Sequence, residues 1–149
     1  MEWYMILFLT HSKTILTHGV SRVVRDIIIS CKNRKRLTVL VTAGGLERDG
    51  YFLCASLHRS VAVANELEAS GIHTTLIPDS SVGYFMSHVN LVLMGAEAVV
   101  ETGGILNKLG SLQIGVLAKT FNVPVYIATG RVVECGFRKR LINSLACIR

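Results

Sequence analysis

Residues suited to holding an anion gather at a few points of this 149-residue chain. The stretch E-T-G-G-I-L-N-K-L-G-S at 101–111 is one of them. Gly103 and Gly104 can bring backbone N–H groups close to a phosphate, and Asn107 and Lys108 follow where a long helix is expected to open. Free donors and the positive end of a helix dipole favour negative charge there, and a lysine adds a full positive charge. The opposing reading is a tight glycine turn with a solvated Lys108. The order matches neither a Walker A loop nor G-x-G-x-x-G, so dinucleotide binding has no motif behind it.

A second polar set is T-H-G-V-S-R at 17–22. Thr17, His18, Ser21 and Arg22 stand where a strand is expected to give way to a helix. His18 is suited to acid or base work, yet a satisfied structural histidine is the more common role at a strand end. Ser21 either binds an anion or caps the helix. Asp79, in P-D-S-S, offers a carboxylate, though the same pattern announces a helix cap. Glu97 reads as a general base or as an acceptor for backbone donors. His11, His58, His73 and His88 share no spacing. Cys31, Cys54, Cys135 and Cys147 form no C-x-x-C, no metal spacing with histidine and no readable Cys–His pair. No metal site, disulfide framework or thiol catalysis is expected from them.

These side chains need a scaffold that collects them. Half of the residues are hydrophobic and 17% are charged, which suits one folded domain with a sizeable core. Val, Ile, Leu and Ala dominate the apolar set, as in strands buried on both faces. Strands are expected at 14–18, 37–42, 73–77, 91–94 and 123–128, and helices at 21–31, 62–70, 81–88 and 107–121. Gly71 is a fitting left-handed stop for the second helix. The alternation predicts an α/β fold with an open, mostly parallel sheet and helices on both faces. Ligands of such sheets bind outside the carboxyl ends of the strands, where the polar sets above fall. Residues 43–60 are long for a strand-to-helix connection, and residues 137–148 read as a basic amphipathic helix.

Charge sits at the two flanks. Residues 22–40 hold six basic residues against Asp26, and residues 131–149 hold five against Glu134, while the body between is mildly acidic. Arg34, Lys35 and Arg36 read as a solvated connection, and no aromatics interleave them, so direct nucleic-acid binding is not expected. The apolar run at 3–9 is too short to span a bilayer and lacks signal-peptide flanks, so no membrane association and a cytoplasmic location are expected.

The segments TILTHGVSRVV (14–24), LVTAG (40–44), GIHTTLIPDSSVGYFM (71–86), VNLVLMGAEAVVETGGILNKLGSLQIGVLAK (89–119) and NVPVYIA (122–128) resemble, in order, the regulatory subunits of eukaryotic translation initiation factor 2B. I-L-T-H followed by S-R-V-V resembles the alpha type. Archaeal ribose-1,5-bisphosphate isomerase and methylthioribose-1-phosphate isomerase belong to the same superfamily. The resemblance implies a Rossmann-like carboxyl-terminal domain over 14–130, with 51–59 as an insertion. It also implies a divergent remnant of an amino-terminal helical segment at 1–13 and a divergent basic tail at 131–149. It implies a non-catalytic regulatory subunit of the guanine nucleotide exchange factor for initiation factor 2. The partners implied are the other subunits of that complex, initiation factor 2 itself and a second copy in a homodimer. No cofactor is implied, and some members of the superfamily bind sugar phosphates or nucleotides. The enzymes use a cysteine just after the strand-one histidine and an aspartate in G-A-D, where this chain has Gly19 and Glu97. No catalytic residue is therefore assigned. Thr17, His18, Ser21, Arg22, Asp79, Glu97, Gly103, Gly104, Asn107 and Lys108 are the expected ligand-binding set.

Overall fold

The computed structural model describes residues 13–19, 21–32, 36–44, 53–99, 104–128 and 145–148. Strand β1 (Lys13–Thr17) is followed by helix α1 (Arg22–Cys31), β2 (Leu37–Thr42), α2 (Leu53–Ala69) and β3 (His73–Ile77). A single turn, α3 (Val82–Phe85), is flanked by 3₁₀ turns at Asp79–Ser81 and Met86–His88. Then come β4 (Leu91–Met94), the short β5 (Ala98–Val99) and β6 (Ile105–Leu106), α4 (Ser111–Thr120), β7 (Val125–Ala128) and β8 (Leu145–Ile148).

The main sheet has the order β3-β2-β1-β4-β7-β8. Its first five strands are parallel, and β8 pairs antiparallel with β7. β5 and β6 form a separate antiparallel pair. The five parallel strands were all expected, with ends moved by at most two residues. The chain runs outward from β1 to β3 and then returns to β4 on the other side of β1. The gap between the carboxyl ends of β1 and β4 is thus the point where strand order reverses.

Alternation along the strands divides the core in two. Ile15, Val39, Val41, Leu91 and Leu93 meet Val24, Ile28 and Cys31 of α1 and Val63 and Leu67 of α2. Leu16, Leu40, Val92 and Met94 face the other way, toward Val82, Met86 and Ile114 and Ala118 of α4. Each large side chain removed from water in this way stabilises by about 1.5–3 kcal/mol. Arg25 on α1 reaches Glu66 on α2 at 2.9 Å and also bonds Asp26. The hydrogen bonds to Asp26, then to Glu66, raise the Arg25 pKa.

Several elements differ from expectation. The second helix begins at Leu53, not near residue 62, because L-C-A-S-L-H-R-S contains no breaker. Ser60, Val63 and Leu67 then share its buried face. It ends as expected at Gly71 (φ +80°), where Ile72 N–H bonds Leu67 O and Gly71 N–H bonds Glu68 O. The long helix begins at Ser111, not at Asn107, because Gly110 takes φ +96° and interrupts helical geometry. The expected helix over 137–148 is contradicted where it is described: Leu145–Ile148 is a strand. The free edge of β7 offers a row of unpaired backbone groups, and pairing satisfies them. The remainder of that segment, and residues 1–12, lie outside the described residues.

Candidate functional site

His18 leaves the end of β1 and is 3% exposed. Its Nε2 lies 2.7 Å from the Leu109 carbonyl, and its Nδ1 lies 2.6 Å from Thr42 Oγ1. A carbonyl can only accept, so the Nε2 proton points at Leu109. Nδ1 is left to pair with the Thr42 hydroxyl, which can give or accept. Parallel pairing sets Thr17 beside Val41, and this register carries Thr42 to the neighbourhood of His18. Both ring nitrogens are therefore spent on protein partners.

Close contacts lock the elements around this ring. A Cβ on Gly110 would meet His18 Cε1 at 2.9 Å. A Cβ on Gly95, just past β4, would meet Ser21 Cβ at 2.8 Å and Oγ at 2.9 Å. At Gly19 (φ +71°) a Cβ would stand 3.4 Å from the Lys108 Cδ. Asn107 Nδ2 donates to the Gly95 carbonyl at 2.9 Å. The segment 107–110 is thereby pinned across the mouth of the β1–β4 crevice, with the stem of Lys108 over Gly19. Thr42 and Gly95 stand at expected strand ends on this edge but outside the expected ligand-binding set, and nothing in the sequence marked Gly110 for this arrangement. A glycine directly after an apolar strand was the available signal for Gly95.

The expected residues distribute as follows. His18, Ser21, Asn107 and Lys108 come together at the strand-order reversal, with Thr17 buried beneath. Ser21 caps α1, its hydroxyl accepting from Val24 N–H at 3.4 Å. Arg22 is exposed on the first turn of that helix. Asp79 does not cap its own turn, since its carboxylate accepts from Gly44 N–H at 3.0 Å and ties the end of β3 to that of β2. Glu97 is exposed, and its N–H joins it to Leu106 O at the start of the β5–β6 pair. Gly104 is exposed before β6, and Gly103 lies outside the described residues. Asn107 and Lys108 do not open the helix, so the first free N–H groups of α4 come after Gly110.

A groove of about 850 Å³ runs from Asn107 and Lys108 along α4 toward Val125. Its flanks are apolar and open: Leu106 is 51%, Leu109 66%, Leu112 82% and Val116 58% exposed. Ser111, at the head of α4, has a buried Oγ with no hydrogen-bond partner among the described residues. No described helix is long and apolar enough to cross a membrane.

The model of the Initiation factor 2 subunit family matches residues 3–133. Translation initiation factor eIF2B subunit alpha of Caenorhabditis elegans is 42% identical over 122 residues, which are 81% of this chain and 37% of that protein. Ribose 1,5-bisphosphate isomerase of Archaeoglobus fulgidus is 32% identical over 116 residues, 77% of this chain and 34% of that one. A solved structure of translation initiation factor eIF-2B from Pyrococcus horikoshii superposes with a TM-score of 0.75 at 23% identity, covering 98% of this chain and 54% of that chain. This chain spans little more than a third of the curated relatives it matches.

Proposed function

The chain belongs to the Initiation factor 2 subunit family, and from that premise we propose that it acts as a non-catalytic regulatory subunit of the guanine nucleotide exchange factor for initiation factor 2. The similarity to an alpha subunit supports this reading. The observation that carries it is the backbone at Gly19. The related isomerases use a cysteine there, whereas here the residue has no side chain and sits at φ +71°, a conformation that side-chain-bearing residues avoid. The Lys108 stem occupies the neighbouring space. A hydrogen atom cannot serve as nucleophile or proton carrier. Glu97 in place of the enzymes' aspartate moves its carboxylate by about one C–C bond, and a misplacement near 1 Å can cost roughly 10²-fold.

The chain works through contacts. Its open apolar flank at Leu109, Leu112 and Val116 is the kind of surface that another subunit covers. The partners are the other subunits of the exchange factor, initiation factor 2 and a second copy of the chain, in the cytoplasm. The strand-end crevice holds a sugar phosphate or nucleotide without turning it over. Ser21, Arg22, Asn107 and Lys108 supply donors and charge, and Thr17, His18, Asp79, Glu97 and Gly104 shape the surroundings of the site.

Affinity purification with co-expressed beta and delta subunits tests the assembly. Co-elution in fixed ratio is expected, and elution of this chain alone refutes it. Incubation with ribose-1,5-bisphosphate tests the catalytic half of the reading. No ketose product is expected, and sustained turnover refutes it.

A further inference from the structure

The bond between His18 and Leu109 joins residues 91 apart in sequence across the mouth of the crevice. It is short, and the ring is also held from behind by Thr42. The ring cannot drift toward Gly110, because it already fills the space a Cβ there would need. On the far side of Leu109 the chain leads straight to Lys108 and Asn107, the first lying over Gly19 and the second bonded to Gly95 O. One buried imidazole therefore fixes the carbonyl next to the lysine, the start of α4 and the end of β1.

We propose that His18 is a positioning residue: by gripping the Leu109 carbonyl it sets where Lys108 and Asn107 stand for an incoming phosphate. This rests on reading the crevice as an anion site. His18 itself makes no contact with the ligand, because both of its nitrogens are already engaged. Its role is to convert a turn of exposed and half-buried residues into a fixed cradle. Orientation held in advance spares a ligand the entropy of ordering the loop.

The test compares the intact chain with His18→Leu and His18→Gln. Leucine fills much of the ring's volume and offers no donor, whereas glutamine keeps a donor that can reach Leu109. The first readout needs no ligand: hydrogen exchange of the Ser111 and Ile114 amides relative to those of Val39 and Val41 in the central sheet. Ser111 N–H bonds Lys108 O and Ile114 N–H bonds Gly110 O, so both report on the segment. In His18→Leu the two amides are expected to exchange at least tenfold faster relative to the sheet, and His18→Gln to restore most of that. Equal acceleration in segment and sheet, or none, overturns the proposal. If His18→Leu does not fold, Thr42→Val takes its place, with an expected relative acceleration of threefold or more. No change in that variant likewise overturns it.

The second readout is titration with ribose 5-phosphate. Wild type and His18→Gln are expected to agree within about threefold, and His18→Leu to bind at least tenfold more weakly. A folded His18→Leu that binds like wild type overturns the proposal. A wild type that binds nothing refutes the anion site instead, and the exchange ratio alone then decides whether His18 positions the segment.

Discussion

Gly110→Ala offers a sharp test of the packing around the crevice. The added methyl faces two costs. Gly110 sits at φ +96°, where a side-chain-bearing residue costs about 1–2 kcal/mol. Its Cβ would also press on His18 at 2.9 Å from Cε1 and 3.1 Å from Nε2. The ring is buried and held at both nitrogens, so it cannot swing aside without giving up bonds to Leu109 and Thr42. Each of those is worth about 1 kcal/mol net, and a buried partner left unsatisfied adds to the loss. The expected destabilisation is thus about 3–4 kcal/mol, measured as a shift in urea unfolding at constant slope. Gly115→Ala is the control: nothing lies within 4 Å of its Cβ, and a helical position should gain about 0.5–1 kcal/mol. A double-mutant cycle then separates the two costs. In a His18→Ala background, Gly110→Ala should cost only the backbone strain, leaving a coupling of roughly 2 kcal/mol. Additive effects, or a Gly110→Ala protein within about 1 kcal/mol of wild type, would show that the ring does not bear on the turn as described.

Gly95→Ala should cost about 1–3 kcal/mol, because the clash is with Ser21 Cβ at 2.8 Å, an atom rooted in the backbone. Adding Ser21→Gly should recover part of it, since a glycine cap is only a few tenths of a kcal/mol worse than serine; thermal melting of the pair checks this. Asn122 holds the left-handed stop after α4 at φ +56°, with Val123 N–H on Ala118 O, so Asn122→Gly should stabilise by roughly 0.5–1 kcal/mol in the same assay. Gly19→Cys should lose about 1–2 kcal/mol to backbone strain and still give no product from ribose-1,5-bisphosphate, which a coupled product assay reads directly. Leu112→Ser together with Val116→Ser should leave the melting temperature almost unchanged, since both are largely exposed, yet weaken the proposed co-elution with co-expressed beta and delta subunits.

Sequence alone determined the parallel strands, the placement of helices on both faces and the stop at Gly71. Each depends on signals that act over a few residues: apolar runs with period two or near four, and glycine's freedom at positive φ. It also located the polar residues at strand ends, and with them the resemblance that the family match then established. Tertiary structure decided what those residues do. The sequence left His18 open as acid, base, ligand or the more common satisfied structural histidine, and the fold decided for the last by bringing Thr42 and a carbonyl 91 residues away to its two nitrogens. Asp79 had the setting of a cap, and the neighbouring strand end brought it Gly44 N–H, 35 residues distant. Asn107 falls where the sequence predicts a helix to open, and its bond to Gly95 together with the reversed backbone at Gly110 moves the start to Ser111. The edge strand β8 overrode a helical pattern because β7 presented unpaired backbone groups to it. Local preference is written residue by residue, but the partner of a polar group depends on strand order and register, which exist only once the whole sheet has closed around its core.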